Sequence, residues 1–113
     1  MSKIYLRFLR VAHEIEMEYI SVKDIDSTAL LLLEEIAIRN FNEKTLTVTQ
    51  AMALNKRASP ATIHRKLDEL REAGLVDQVF EGKNRRTKFL VPTKLADAYF
   101  AKMSKAISSA VIS

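Results

Sequence analysis

Apolar residues recur at Ile4, Phe8, Val11, Ile15 and Tyr19 of the opening segment KIYLRFLRVAHEIEMEYI. Steps of four and three place them on one face, which predicts a helix over about residues 3–20. Arg10 and Glu14 are spaced for an i, i+4 pair within it, while Glu14 and Glu18 repel. A second helix is expected to start at Asp26 or Ser27, either able to cap it, and to run through STALLLLEEIAIRN. Leu30 to Leu33, with Ile36 and Ala37, are apolar over a wide arc, so this helix is expected to be the most buried. Asn40 to Lys44 is polar and reads as a loop. TLTVT alternates β-branched residues, as a very short strand does. Thr49 is expected to cap a short helix, QAMALNK, and Asn55 to Ala58 to turn tightly.

The next stretch, SPATIHRKLDELREAGLV (residues 59–76), carries its own punctuation. Ser59 is an N-cap, and Pro60 at the first helical position wastes no N–H. Ile63, Leu67 and Leu70 form the buried stripe, and Gly74 stands where a left-handed C′ residue is wanted. After Gly74 the period changes to two. Leu75 to Phe80 and Thr87 to Val91 read as strands, and EGKNR between them holds Gly82 and Asn84, both tolerant of positive φ. Thr93 caps a last helix, KLADAYFAKMSKAISSAVIS, with Leu95, Tyr99, Met103, Ala106 and Ala110 at helical spacing.

The predicted order is therefore α-α-(β)-α-α-β-β-α: mainly α with a small β-hairpin, in one domain spanning residues 1–113. Two helices joined by a tight turn and followed by a basic hairpin are the parts of a winged helix-turn-helix. SPATIHRKLDELREAGLVD resembles the recognition-helix signature of the MarR (multiple antibiotic resistance regulator) family, in the Ser-Pro start, Ile63, Arg65, Leu67-Asp68, Leu70 and Gly74-Leu75-Val76. RRTKFLVPT resembles that family's wing strand, and its spacing puts Arg86 on the wing-arginine position. The resemblance runs from about residue 26 to 100. Three departures accompany it: Lys83-Asn84-Arg85 stands where the family's wing usually carries an aspartate, the hairpin is short, and the chain is shorter than most members. The resemblance implies a transcriptional regulator that binds double-stranded DNA as a homodimer, with the terminal helices (about 3–20 and 94–112) as dimerisation elements. It leaves any small-molecule effector open.

Charge sharpens this expectation. Residues 1–54 hold six bases and eight acids, whereas residues 55–113 hold twelve bases and six acids. Residues 81–94 alone carry Lys83, Arg85, Arg86, Lys88 and Lys94 against Glu81. Such a cluster suits an anionic partner. In the helix after Ser59, the bases His64, Arg65 and Lys66 precede the acids Asp68, Glu69 and Glu72, against the preference of the helix dipole. Beside DNA that order is favourable, because the N-terminal part of a recognition helix enters the major groove and the acids then point away.

The candidate DNA contacts are Ser59, Ala61, Thr62, His64 and Arg65 on this helix and Lys83, Arg85, Arg86 and Lys88 on the wing. Ala61 is small enough for close backbone approach, the Ser59 and Thr62 hydroxyls suit a phosphate, and Arg65 can donate two hydrogen bonds to guanine. Plain structural roles stand beside four of them. Arg65 can pair with Glu69, Arg86 with Glu81, and His64 or Thr62 can be ordinary surface groups. Lys66 lies nearer the inward flank, where its stem can shield the core.

Other classes find little support. HEIEME (residues 13–18) lacks the second histidine of a zinc helix. The chain has two histidines, two glycines and no cysteine, so neither a metal site, a phosphate-cradling glycine loop nor a thiol chemistry is expected. No enzyme activity and no cofactor is expected. The longest apolar run, Ala29 to Leu33, is too short to cross a membrane, and Arg7 and Arg10 interrupt any leader pattern, so a cytoplasmic protein is expected. Two other roles remain compatible with the pattern: a winged helix used for protein–protein contact, and a plasmid or phage accessory protein binding DNA in replication or partition.

Overall fold

A computed structural model describes residues 2–54, 58–83 and 85–112. Among them are five α-helices and one hairpin: α1 (Ser2–Tyr19), α2 (Ser27–Phe41), α3 (Val48–Met52), α4 (Pro60–Glu72), β1 (Val76–Phe80), β2 (Lys88–Pro92) and α5 (Lys94–Ile112). A short 3-10 turn, Ser21–Lys23, links α1 to α2. The predicted order holds, with each boundary shifted by a residue or two at most, except around α3.

Local chemistry accounts for the ends. Asp26, rather than Ser27, caps α2, accepting from the Ala29 amide at 2.9 Å. Thr47, rather than the expected Thr49, caps α3: its hydroxyl accepts from the Gln50 amide while the Gln50 side chain accepts from the Thr47 amide. That reciprocal pair is a capping box, which satisfies two otherwise orphaned donors, and it moves the helix start two residues forward. The TLTVT segment does not make a strand of its own. It contributes a single bridge, Thr47 to Phe89, supported by the Leu90 amide donating to the Leu46 carbonyl at 2.8 Å. Capping competes with pairing for the same backbone, and capping wins after Thr47. Of the turn expected at 55–58, only Ala58 lies within the described residues; Asn84 of the hairpin loop also lies outside them.

The hairpin pairs antiparallel, Val76 opposite Pro92 and Phe80 opposite Lys88. Gly74 sits at φ 77° after α4, the left-handed position that lets the Leu75 amide reach back to the Leu70 carbonyl at 2.9 Å. The core lies where α2, α4, β2 and α5 meet, with Leu33, Ile36, Ile63, Leu67, Leu70, Leu75 and Leu90 all buried. The stripe Ile63–Leu67–Leu70 is thus the inward face of α4, as its spacing predicts.

Helices α1 and α5 pack antiparallel beside this core. Their ends are marked by Arg7, whose guanidinium donates to the Ala110 carbonyl through Nε at 3.1 Å and Nη2 at 2.9 Å, and by the Tyr19–Tyr99 ring contact. Of the predicted α1 stripe, Ile15 is buried and Phe8, Val11 and Tyr19 are half-buried, but Ile4 is exposed. Helix α2 buries Ala29, Leu32, Leu33 and Ile36 yet leaves Leu31, Ile38 and Phe41 exposed, so its apolar arc is wider than the core can cover.

Candidate nucleic-acid interface

Helix α4 is built to show one face. Ser59 Oγ accepts from the Thr62 amide at 3.1 Å and lies 3.0 Å from Thr62 Oγ1, so the two candidate hydroxyls already engage each other. Ala61 is exposed and Thr62 half-exposed beside them. His64 is exposed, with Nδ1 3.2 Å from the Asp68 carboxylate one turn on. The pairing that would have tied Arg65 to Glu69 does not form. Glu69 instead accepts from Lys66 at 3.3 Å, and Arg65 stands exposed without an ion-pair partner among the described residues.

Lys66 behaves as its inward position suggests. Its stem is largely covered, and Nζ reaches the Asp26 carboxylate at 2.6 Å. The hydrogen bond from Lys66, with that from the Ala29 amide, holds the Asp26 carboxyl below its ordinary value. The bond to Asp26, with that to Glu69, holds the Lys66 ammonium above its own. Basic residues in consecutive positions thus take opposite tasks: Lys66 locks α4 onto α2, and Arg65 points to solvent. The acids Asp68 and Glu69 are occupied by His64, Arg71 and Lys66.

Lys83, Arg85, Arg86 and Lys88 are all exposed on or next to the hairpin. Arg85 lies over the Phe80 ring, 5.4 Å from its centroid, a cation–π contact. A cleft of about 370 Å³ between the start of α3 and the hairpin is lined by Thr47, Thr49, Arg86 and Lys88, with no acid on its walls. Thr47 and Thr49 were not among the sequence candidates. The Thr47-x-x-Gln50 spacing, which fixes where α3 begins, is the sequence signal for the position of Thr47.

Among the described residues no group of three or more His, Cys, Asp or Glu side chains is placed to hold a metal ion, and no helix is long and apolar enough to cross a membrane.

No family model matches the chain, and no curated protein matches it either. Among solved structures it is similar to a MarR protein from Peptoclostridium difficile, with a TM-score of 0.52 and 19% identity over 91% of this chain. The chain spans 64% of that protein's length. This likeness, with five helices and an antiparallel hairpin in the order described, establishes a MarR-like winged-helix fold.

Proposed function

We propose that the protein is a sequence-specific transcriptional regulator that binds double-stranded DNA as a homodimer. Helix α4 would enter the major groove, and the basic hairpin would lie on the backbone or in the minor groove. The observation that carries this reading is the division of labour on α4. Its inward base Lys66 and all but one of its acids are consumed by internal pairs, while Arg65 and the small Ala61 are exposed on the same helix as the Ser59 cap. Arginine so placed can read guanine O6 and N7, and small neighbours allow close approach. The acid-free cleft at Arg86 and Lys88 supports a phosphate contact on the same reading.

The homodimer is supported by the terminal helices. Tyr5, Leu6, Ile107 and Val111 are each more than half exposed on the free ends of α1 and α5, an apolar surface suited to a second copy. The function is tested by selecting bound fragments from random and genomic DNA. Recovery of a near-palindromic site is the expected result. Recovery of no DNA would instead favour a winged helix used for contact with another protein, and uniform recovery of all sequences would contradict sequence-specific regulation.

A further inference from the structure

The hairpin has one covered edge and one open edge. On the far side of β2 the Leu90 amide donates to the Leu46 carbonyl, and Thr47 bridges Phe89. In an antiparallel ladder the amide and carbonyl of one residue point the same way, and successive residues point opposite ways. Leu90 therefore faces Leu46, while Phe89 and Val91 face β1 and bond to Val79 and Asp77. By the same alternation, the backbone groups of Gln78 and Phe80 point away from β2. Nothing among the described residues bonds to them on that side.

Edge strands usually carry a device that prevents further pairing, such as a proline, a lysine or a bulge. β1, with the sequence VDQVF, has none of these. Its register against β2 is unbroken, Asp77 is its single charge, and Val79 and Phe80 are exposed. Unpaired backbone groups beside exposed apolar side chains make a template for another strand.

We infer that the outer edge of β1 pairs with β1 of a second copy, antiparallel about Gln78, so that two wings join in one continuous sheet. Charge selects both the partner and the register. With Gln78 opposite its equivalent, Asp77 lies across from Val79 and Phe80 across from Val76, and no like charges meet. A shift that centres the pair on Val79 sets Asp77 against Glu81, which is destabilising. Beyond the strand, the favoured register carries Lys83 and Arg85 of each wing toward the C-terminal end of the other copy's α4. Glu72 stands exposed there with no ion pair among the described residues, at the negative end of the helix dipole. The contact uses none of the apolar residues at the free ends of α1 and α5. A five-residue strand buries far less than the roughly 1,200 Å² of a stable interface, so the pairing acts between copies already held side by side. On the DNA-binding reading, those are copies on neighbouring sites, which would then fill cooperatively.

The test traps this weak contact in the full chain, which has no cysteine of its own. Asp77→Cys and Val79→Cys, both at exposed positions, are prepared separately, then mixed in equal amounts with oxidised glutathione and no DNA. Facing residues of such a non-hydrogen-bonded pair have Cα atoms about 4.5 Å apart, inside the roughly 4.4–6.8 Å that a disulfide spans. Mass spectrometry should find the 77–79 dimer in severalfold excess over its chance proportion, with 77–77 and 79–79 dimers depleted. Gln78→Pro in both proteins removes the outward amide but leaves the Asp77 and Val79 ladder bonds, a place where an edge strand tolerates proline. It should return the products to chance proportions. Circular dichroism and thermal unfolding check that the proline variants are folded; the ratio of the three disulfides without the proline decides the matter by itself. Chance proportions in that first mixture overturn the proposal, as does an excess that survives in folded proline variants. Because the trap reads positions 77 and 79 without DNA, its failure leaves the terminal-helix dimer and the reading of α4 untouched.

Discussion

Lys66 on α4 and Asp26 at the start of α2 meet at 2.6 Å, forty positions apart in the chain. Asp26 is simultaneously the N-cap of α2. One carboxylate therefore ends one helix correctly and anchors a second across it. The bond depresses the Asp26 pKa and raises that of Lys66. Its contribution to stability is fully present between the ordinary values of 3.8 and 10.5. It is lost as pH falls through the lowered Asp26 value or rises through the raised Lys66 value. Asp26→Asn keeps a good cap but not the charge, so its stability should respond less to acid between pH 5 and 2 (a range of about three units,) than the wild type. Asp26→Ala should cost about 0.5–2 kcal/mol more through the lost cap. Urea unfolding at several pH values reads both.

Gly74 makes a backbone prediction. A Cβ there would meet only Leu95 Cδ2 at 4.0 Å, so space is not the obstacle. The φ of 77° is, and Gly74→Ala should destabilise by about 1–2 kcal/mol through conformation alone. Leu70→Ala, at a fully buried position, should cost about 2–5 kcal/mol. A larger loss at Gly74 than at Leu70 would contradict this assignment of strain and packing.

How far these relationships can be read from the chain depends on their range. Helix α4 is legible because everything that defines it is local: Ser59 and Pro60 at the start, the Ile63–Leu67–Leu70 stripe and Gly74 at the end. The start of α3 is also written locally, in Thr47-x-x-Gln50, but the nearby Thr49 offers the same hydroxyl and is the weaker choice. Whether TLTVT pairs along its length depends on β2, far along the chain. The Lys66–Asp26 tie and the Arg7–Ala110 cap join residues distant in sequence and leave no periodic trace. The exposure of Ile38 and Phe41 is likewise invisible in an apolar run, since composition does not say how much of a helix its neighbours cover.

The dimer proposal rests on the free ends of α1 and α5. Leu6→Asp combined with Val111→Asp alters only exposed side chains, so the monomer should stay folded while self-association is lost. Removing the Arg7 guanidinium with Arg7→Ala should fray the last turn of α5, at a cost of about 0.3–1 kcal/mol, and weaken association indirectly. Light scattering and hydrogen exchange over residues 106–112 follow the two effects. A wild type that stays monomeric at micromolar concentration (roughly the range set by ordinary dimer affinities,) contradicts the proposal.

On the wing, Arg85→Ala with Arg86→Ala should lower affinity for all DNA sequences together. Counterion release predicts that the salt slope falls by about one unit for each phosphate that is no longer neutralised. Arg85 also covers Phe80, so thermal unfolding of the double variant must accompany the binding data. An unchanged slope in a folded variant assigns both arginines to the hairpin's structure.

The central claim is that α4 reads bases through Arg65, and one comparison addresses it directly. Wild type, Arg65→Ala and Arg65→Lys are titrated against the selected site and a scrambled duplex at a single salt concentration. Arg65 is exposed and belongs to neither the buried stripe nor the Ser59 cap, so the variants should fold alike. Bidentate readout predicts a loss of about 1–3 kcal/mol on the selected site, much less on scrambled DNA, with lysine unable to restore it. Equal losses on both duplexes, or rescue by lysine, would make Arg65 a phosphate contact, and no loss on either would contradict the placement of α4 in the groove.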